Sequence, residues 1–330
     1  MSWGNRTVLV TGAGGFIGSH LVEALVRRGA AVRAFVHYNS RNDWGQLEHV
    51  APSVRERVEV VAGDVRDPFF VRQAAEGCEV VFHLAALIPI PYSYLAPQSF
   101  IETNVLGTLN VLEACRAADV SRLVHTSTSE TYGTARRVPM DETHPVQAQS
   151  PYAASKIAAD KLVESSVHSY GVPAVTVRPF NTYGPRQSAR AVIPAIAVQA
   201  LAGREEIKVG SLEPVRDFCY VTDTVRGFLA AAELDDAAGE VFNVGTGEGV
   251  SIGDVGQMII ELWGNGAELV LDERRLRPPA SEVTRLVCDS SKLHTLSGWT
   301  PTVTLQTGLE QTGEHIREHL DEYKAGLLAL

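Results

Sequence analysis

The stretch "TVLVTGAGGFIGSHL", Thr7–Leu21, decides the fold. A short β-branched, apolar run leads into Gly12, Gly15 and Gly18, and a helical pattern begins at Phe16. Read by its period, the stretch is a buried strand, a tight glycine turn and a helix. Such a turn lets the backbone approach a pyrophosphate, and the helix N-terminus adds its positive dipole end. A glycine triplet alone is a weak signal. This one stands at the first strand of an alternating pattern, which is the context a dinucleotide site requires.

Outward from that turn, "AVRAFV", "VEVVAGD", "VVFHLAA", "RLVHTSTS" and "AVTVRPFN" read as further strands. Each is nearly continuous in apolar content, as in strands covered on both faces. Helical patterns separate most of them, for instance Phe16–Arg28 and Ser99–Ala118. The alternation predicts an α/β fold, a Rossmann-type doubly wound parallel sheet. After about Gly184 the order changes. Shorter strands ("EIKVG", "RDFCYV", "EVFNVG", "AELVLD") mix with helices near Val192–Ala202, Thr222–Leu234 and Ser251–Trp263. We expect a dinucleotide-binding domain over 1–184 and a smaller α/β substrate lobe over 185–330, with 222–247 returning to the first domain.

Bulk properties narrow the function. The 330 residues are 45% hydrophobic and 21% charged, the profile of a soluble globular protein. A net charge of -10 argues against nucleic acid, whose phosphates need a basic surface. No apolar run is long enough for a bilayer span, and "MSWGNRTVLVTG" enters a strand at once, without a secretory signal. The four cysteines are far apart in sequence and show no metal spacing, so buried thiols in a reducing compartment are expected. The expectation is a cytoplasmic protein with no metal and no membrane partner.

The choice of dinucleotide rests on the end of the second strand. An acidic residue there accepts from the adenosine ribose hydroxyls and selects NAD. Here Val36 stands at that position, followed by His37, Asn39, Ser40 and Arg41. Nothing repels a 2′-phosphate, and Arg41 or His37 can pair with one. The reading is NADP, with NAD as the alternative. Asp64, followed by Val65 in "AGDVRD", suits an adenine contact or a helix cap.

"SPYAASKIAADKL", Ser150–Leu162, sets Tyr152 four residues ahead of Lys156, so both lie on one helix face. Alone, the pair is equally a solvated helix surface. A free tyrosine, with a pKa near ~10, is a poor base at neutral pH, and lowering it by about three pH units takes about 4 kcal/mol. One ammonium about 4 Å away supplies roughly that at an effective dielectric of about 20. Lys156 is therefore expected to make Tyr152 a usable base.

Together, "TGAGGFIG", "HLAA", Asn104 in "TNVLGT", the Tyr152–Lys156 pair and "RPFNTYGPRQ" resemble the extended short-chain dehydrogenase/reductases that act on nucleotide sugars. Nearly the whole chain is covered. Within that family, "STSETYG" and "VHYNSRN" look most like GDP-mannose and N-acetylglucosamine-type 4,6-dehydratases. "LIPIPYSY", "GPRQSARAVIP" and "ERRLRPPASEV" are similar to GDP-N-acetylglucosamine 4,6-dehydratases of legionaminic acid pathways. The resemblance implies a homodimer, a tightly held nicotinamide cofactor and a nucleotide-diphosphate sugar. It places Phe16, Ile17, Leu84, Ala85, Ala86 and Asn104 around the cofactor, with Thr128 bonding the reacting hydroxyl. Asn181, Val192, Arg216 and Arg277 would hold the nucleotide, and Pro91, Tyr92 and Ser93 the sugar.

Glu130 separates the reactions. A 4-epimerase needs only oxidation at C4 and its reversal. A 4,6-dehydratase must also remove the C5 proton and protonate the departing C6 hydroxyl, and one carboxyl can do both in turn. Many related dehydratases carry Thr-Asp-Glu, whereas here Ser129 replaces the aspartate, leaving Glu130 to act alone. The alternatives are a UDP-glucuronate decarboxylase, which also shows "STSE", or a 4-epimerase. A non-catalytic NAD(P)-sensing protein is more remote.

Overall fold

The computed structural model describes residues 2–323. Along the chain the strands are β1 Thr7–Thr11, β2 Ala31–His37, β3 Val58–Gly63, β4 Val80–His83, β5 Arg122–Thr126 and β6 Ala174–Pro179. Then come β7 Asn181–Tyr183, β8 Glu206–Val209, β9 Val215–Tyr220, β10 Val241–Val244, β11 Gly249–Ser251 and β12 Glu268–Leu271. Seven of them form one parallel sheet in the order β10-β6-β5-β4-β1-β2-β3. The strand order reverses between β1 and β4, the place where doubly wound sheets open a crevice for ligands.

The apolar runs are continuous because both faces of the sheet are covered. In β1, Val8 and Val10 join one core with helices Phe16–Arg27 and Val221–Glu233, while Leu9 points into the opposite core. That second core packs Val71, Val111 and Val163, from helices Pro68–Ala75, Gly107–Ala117 and Pro151–Tyr170. Alternate side chains thus serve opposite layers.

A third core lies above the C-terminal ends of the strands. Helices Val192–Leu201, Ile252–Trp263 and Leu305–Glu318 pack there with β8 and β9. β10 does return to the main sheet, pairing Val241–Val244 with Thr176–Pro179. The four cysteines are buried free thiols. No described helix is long and apolar enough to cross a membrane.

One expected helix is interrupted. Over 99–118 the chain makes a π-helical turn, Ile101–Leu106, before the α-helix Gly107–Ala117. Such a bulge re-aims side chains that a regular helix would direct elsewhere. Here it carries Asn104. Its side chain accepts from the Leu87 amide at 2.8 Å and donates to the Leu87 carbonyl and the Ser155 hydroxyl, both at 2.9 Å.

Candidate active site

Two adjoining cavities occupy the crevice. The first, about 660 Å³, runs beneath the glycine turn to Tyr152 and Glu130. Gly12 has φ +70°, and a Cβ there would sit 2.7 Å from the Ala85 amide nitrogen. At Gly18 a Cβ would lie 2.2 Å from the Gly12 carbonyl oxygen. Only hydrogen fits at either place. Gly15 begins helix Phe16–Arg27 without a side-chain cap, so the cradle presents open backbone N–H groups. These features fit a dinucleotide pyrophosphate.

The catalytic candidates converge on the same cavity: Thr128, Ser129, Glu130, Tyr152 and Lys156 all line it. Ser150 caps helix Pro151–Tyr170 by accepting from the Ala153 amide, and Pro151 starts its first turn. That start fixes Tyr152 in the first turn and Lys156 one turn on. Thr128 caps a 3₁₀ turn, Ser129–Tyr132, which brings Glu130 to the mouth of β5.

The electrostatics differ from the expectation. Burial pushes the Tyr152 phenol up, opposed by a hydrogen bond with Thr128 and reinforced by the negative charge of Glu130. Burial also pulls Lys156 down to about 8, against the attraction of Asp160. Its ammonium donates to the Thr126 carbonyl at 2.6 Å. Burial thus opposes the lowering that Lys156 is expected to exert on the Tyr152 phenol.

Behind Lys156 lies a buried polar network. The Asp160 carboxylate accepts from Ser127 at 2.7 Å and Arg178 at 2.9 Å, and His125 Nε2 lies 3.2 Å away. Arg178 in turn donates to the Tyr132 hydroxyl, which donates to Asn243 on β10. Burial works to raise the Asp160 carboxyl, but His125, Arg178 and Lys156 hold it at about 2.

The second cavity, about 340 Å³, is lined by Pro91, Asn181, Val192, Arg216 and Arg277, and additionally by Lys208, Arg274, Arg275 and Glu282. Arg216, almost fully buried, lies 3.3 Å from Glu282. Arg277 spans the cavities, 3.7 Å from Glu282 and 4.0 Å from Glu130. This collection of cations suits a diphosphate, and Glu282 pairs with two of them.

Around the first cavity, Gly12, Gly15, Phe16, Ile17, Gly18, His37, Asn39, Arg41, Leu84, Ala85 and Ala86 form part of the wall. Several other candidates do not. Ser40 is off the lining, and Asp64 is engaged by Arg66 at 2.6 Å. Val65 packs on Gly107, and Asn104 acts on the Leu87 backbone. Ser93 is fully buried and spends its hydroxyl on the Ile90 carbonyl at 2.7 Å, so it cannot serve a sugar. Tyr92 lines neither cavity and leans toward Phe100.

Sequence reading missed Gly14, Asp43, Trp44 and Gly45. The loop after β2 folds onto the glycine turn, with Gln46 donating to the Gly14 carbonyl at 2.8 Å. A Cβ on Gly14 would be 2.6 Å from the Trp44 carbonyl oxygen. The extra glycine in "GAGG" and the one in "DWG" were the available signal. Glu282 and Lys208 were also missed, although the basic run "ERRLR" pointed to the neighbourhood.

Residues 9–312 match the family model described as GDP-mannose 4,6 dehydratase. A UDP-glucose 4-epimerase of Mycolicibacterium smegmatis is 34% identical over 316 residues, covering 94% of this chain and 98% of that protein. A dTDP-glucose 4,6-dehydratase of Xanthomonas campestris pv. campestris is also 34% identical, over 93% of this chain and 92% of its own. Among solved structures, a dTDP-glucose 4,6-dehydratase of Streptomyces venezuelae with NAD bound superposes at TM-score 0.85. It is 28% identical and matches 97% of this chain and 99% of that one.

Proposed function

The chain belongs to the GDP-mannose 4,6-dehydratase family of extended short-chain dehydrogenase/reductases, and on that premise we propose that it dehydrates a nucleotide-diphosphate hexose across C5 and C6. The observation that carries this reading is Glu130 on the same cavity wall as Tyr152, Thr128 and Lys156. A nicotinamide dinucleotide held over Gly12, Gly15 and Gly18 would supply a hydride acceptor for C4 and a hydride donor for C6. Tyr152 takes the C4 hydroxyl proton, with Thr128 holding the phenol and Lys156 contributing positive charge from below. Glu130 removes the C5 proton, made acidic by the C4 ketone, and passes a proton to the C6 hydroxyl as it leaves as water; C5 takes up a proton of solvent origin when hydride reaches C6. Arg277, in contact with Glu130, would couple diphosphate capture to the position of that carboxylate.

The test is mass spectrometry of GDP-, UDP- and dTDP-hexoses, with and without a C2 acetamido group, after incubation with the protein. Loss of one water from one of them supports the reading. Unchanged mass with inversion at C4, or loss of carbon dioxide from a uronic acid, would replace it. Glu130→Gln should oxidise C4 yet stop before elimination, leaving reduced cofactor and no solvent deuterium at C5. Normal deuterium uptake in that variant would remove Glu130 from the role of base.

For the dinucleotide we infer NAD rather than the NADP expected from sequence. Asn39 is committed to its own loop, accepting from the Arg41 and Asp43 amides and donating to the Asp43 carbonyl at 2.8 Å. Ser40 is off the wall, and the wall includes the acidic Asp43, which no 2′-phosphate would favour. Titration of cofactor-free protein with each dinucleotide decides it, and tighter NADP binding would reverse the inference. The reading includes a homodimer, supported by exposed apolar side chains at Leu95, Ile101, Leu106 and Leu109. Sedimentation at micromolar concentration tests that part. A monomer would count against it.

A further inference from the structure

In the loop after β2, the 3₁₀ turn Gly45–His49 meets the end of helix Leu305–Glu318. His49 Nε2 lies 3.1 Å from the Glu322 carboxylate. One nitrogen or carboxylate oxygen from each of His49, His319 and Glu322 falls within 4.8 Å of the other two. A fourth side chain closes the group: the His315 ring is tilted against His319 at 4.4 Å and stands edge-on to His49 at 6.3 Å.

An ordinary ion pair does not account for this arrangement. His319 Nδ1 lies 2.9 Å from the His315 carbonyl oxygen. A carbonyl only accepts, so Nδ1 carries the proton and Nε2 keeps its lone pair. That is how the second nitrogen of a metal-ligating histidine is oriented. His49 can donate one proton to Glu322, which still leaves the His319 lone pair among acceptors.

We propose that His49, His319 and Glu322 form a zinc site. Two imidazoles and one carboxylate suit a borderline first-row divalent cation, and three protein ligands leave a fourth position for water. The hard cations magnesium and calcium prefer all-oxygen shells and are poorly served here. The ion would staple the last described helix to the segment that directly follows Asp43, Trp44 and Gly45 in the cavity wall. It stands apart from Tyr152 and Glu130, so its role is to hold the loop and helix together.

The experiment uses the full-length, untagged protein, stripped with a chelator and dialysed against zinc at controlled concentration. One zinc per chain and a rise in Tm of several degrees are expected, with no such rise in magnesium. Glu322→Gln, at an exposed position, and His49→Gln should each weaken zinc binding at least tenfold and abolish the rise in Tm. Their Tm in chelator should stay near the wild-type value. Tyr152→Phe should bind zinc as wild type does. Cobalt in place of zinc should give the visible bands of a low-coordinate histidine site. Absence of stoichiometric zinc, or equal binding by Glu322→Gln and His49→Gln, overturns the proposal.

Discussion

Beneath the glycine turn, the cavity is shaped by backbone: a helix start at Gly15 that no side chain caps, and carbonyl or amide atoms so near Gly12, Gly14 and Gly18 that no side chain fits. In the neighbouring cavity the shape comes from charged side chains, Arg216, Arg277, Arg274 and Arg275, restrained by Glu282 and Asp272. A backbone cradle is finished when the chain folds and needs little reorganisation. An arginine cavity must exchange internal carboxylates for the ligand's oxygens, so part of each ion pair's energy is returned on binding. The first arrangement suits a group that stays, and the second a group that comes and goes.

The comparison can be broken most severely at the chemistry. Tyr152→Phe should retain the fold and the dinucleotide while lowering turnover by about 10²–10⁴-fold, the usual contribution of a positioned base. Activity within a few-fold of wild type would deny Tyr152 that role.

Next in size is the support behind it. Asp160→Asn leaves Arg178 buried without its anion and should cost roughly 3–5 kcal/mol of stability, read by urea denaturation. The wild-type carboxyl stands at about 2, against roughly 4 in an unfolded chain. Its contribution is therefore complete above about pH 4 and is lost as the pH falls toward 2. The variant should not show that segment of acid sensitivity. An unchanged midpoint in urea would mean the network is dispensable.

On the substrate side, Arg277→Ala should weaken the nucleotide sugar by about 10–100-fold, in line with roughly 1.5–3 kcal/mol for a charged hydrogen bond. Dinucleotide affinity should not change. Calorimetric titrations with both ligands check this, and a parallel loss of both would erase the distinction between the cavities. The smallest effect is expected at Arg41, whose side chain is 85% exposed and 3.8 Å from Asp43. Arg41→Ala should alter NAD affinity by no more than about twofold, since exposed pairs contribute little. A tenfold loss confined to NADP would instead restore a phosphate-binding role.

These contrasts also explain what could be read from the sequence. The six main strands were legible because burial on both faces leaves a local mark, as Val8, Leu9 and Val10 show. The glycine turn was legible because steric exclusion at Gly12 and Gly18 acts within a few residues and on the next strand's end. Asp43 and Trp44 were not, since their place depends on a loop folding back onto Gly14. Ser93 misled because a hydroxyl suited to sugars is equally suited to the carbonyl three residues behind it. Lys156 lies on the cavity wall with Tyr152, as the helical spacing suggests, but the burial that raises the phenol is a tertiary effect that spacing does not report. The His49, His315 and His319 group was invisible for the plainest reason, as its members lie at opposite ends of the chain.

The return of β10 to the edge of the main sheet has a consequence for how this chain is made and how it can be recombined. A ribosome releases β6 roughly sixty residues before β10, an interval of several seconds at about 5–20 residues per second. Until then Thr176–Pro179 is an unpaired edge, and Tyr132 lacks its Asn243 partner. The polar network behind Lys156 is therefore completed only once β10 has emerged. A chimera that exchanges the substrate-side half at a single junction after β6 also exchanges that edge strand and Asn243. Grafting a new sugar preference onto this scaffold calls for two crossovers, with Val241–Val244 kept from the parent that supplies β6.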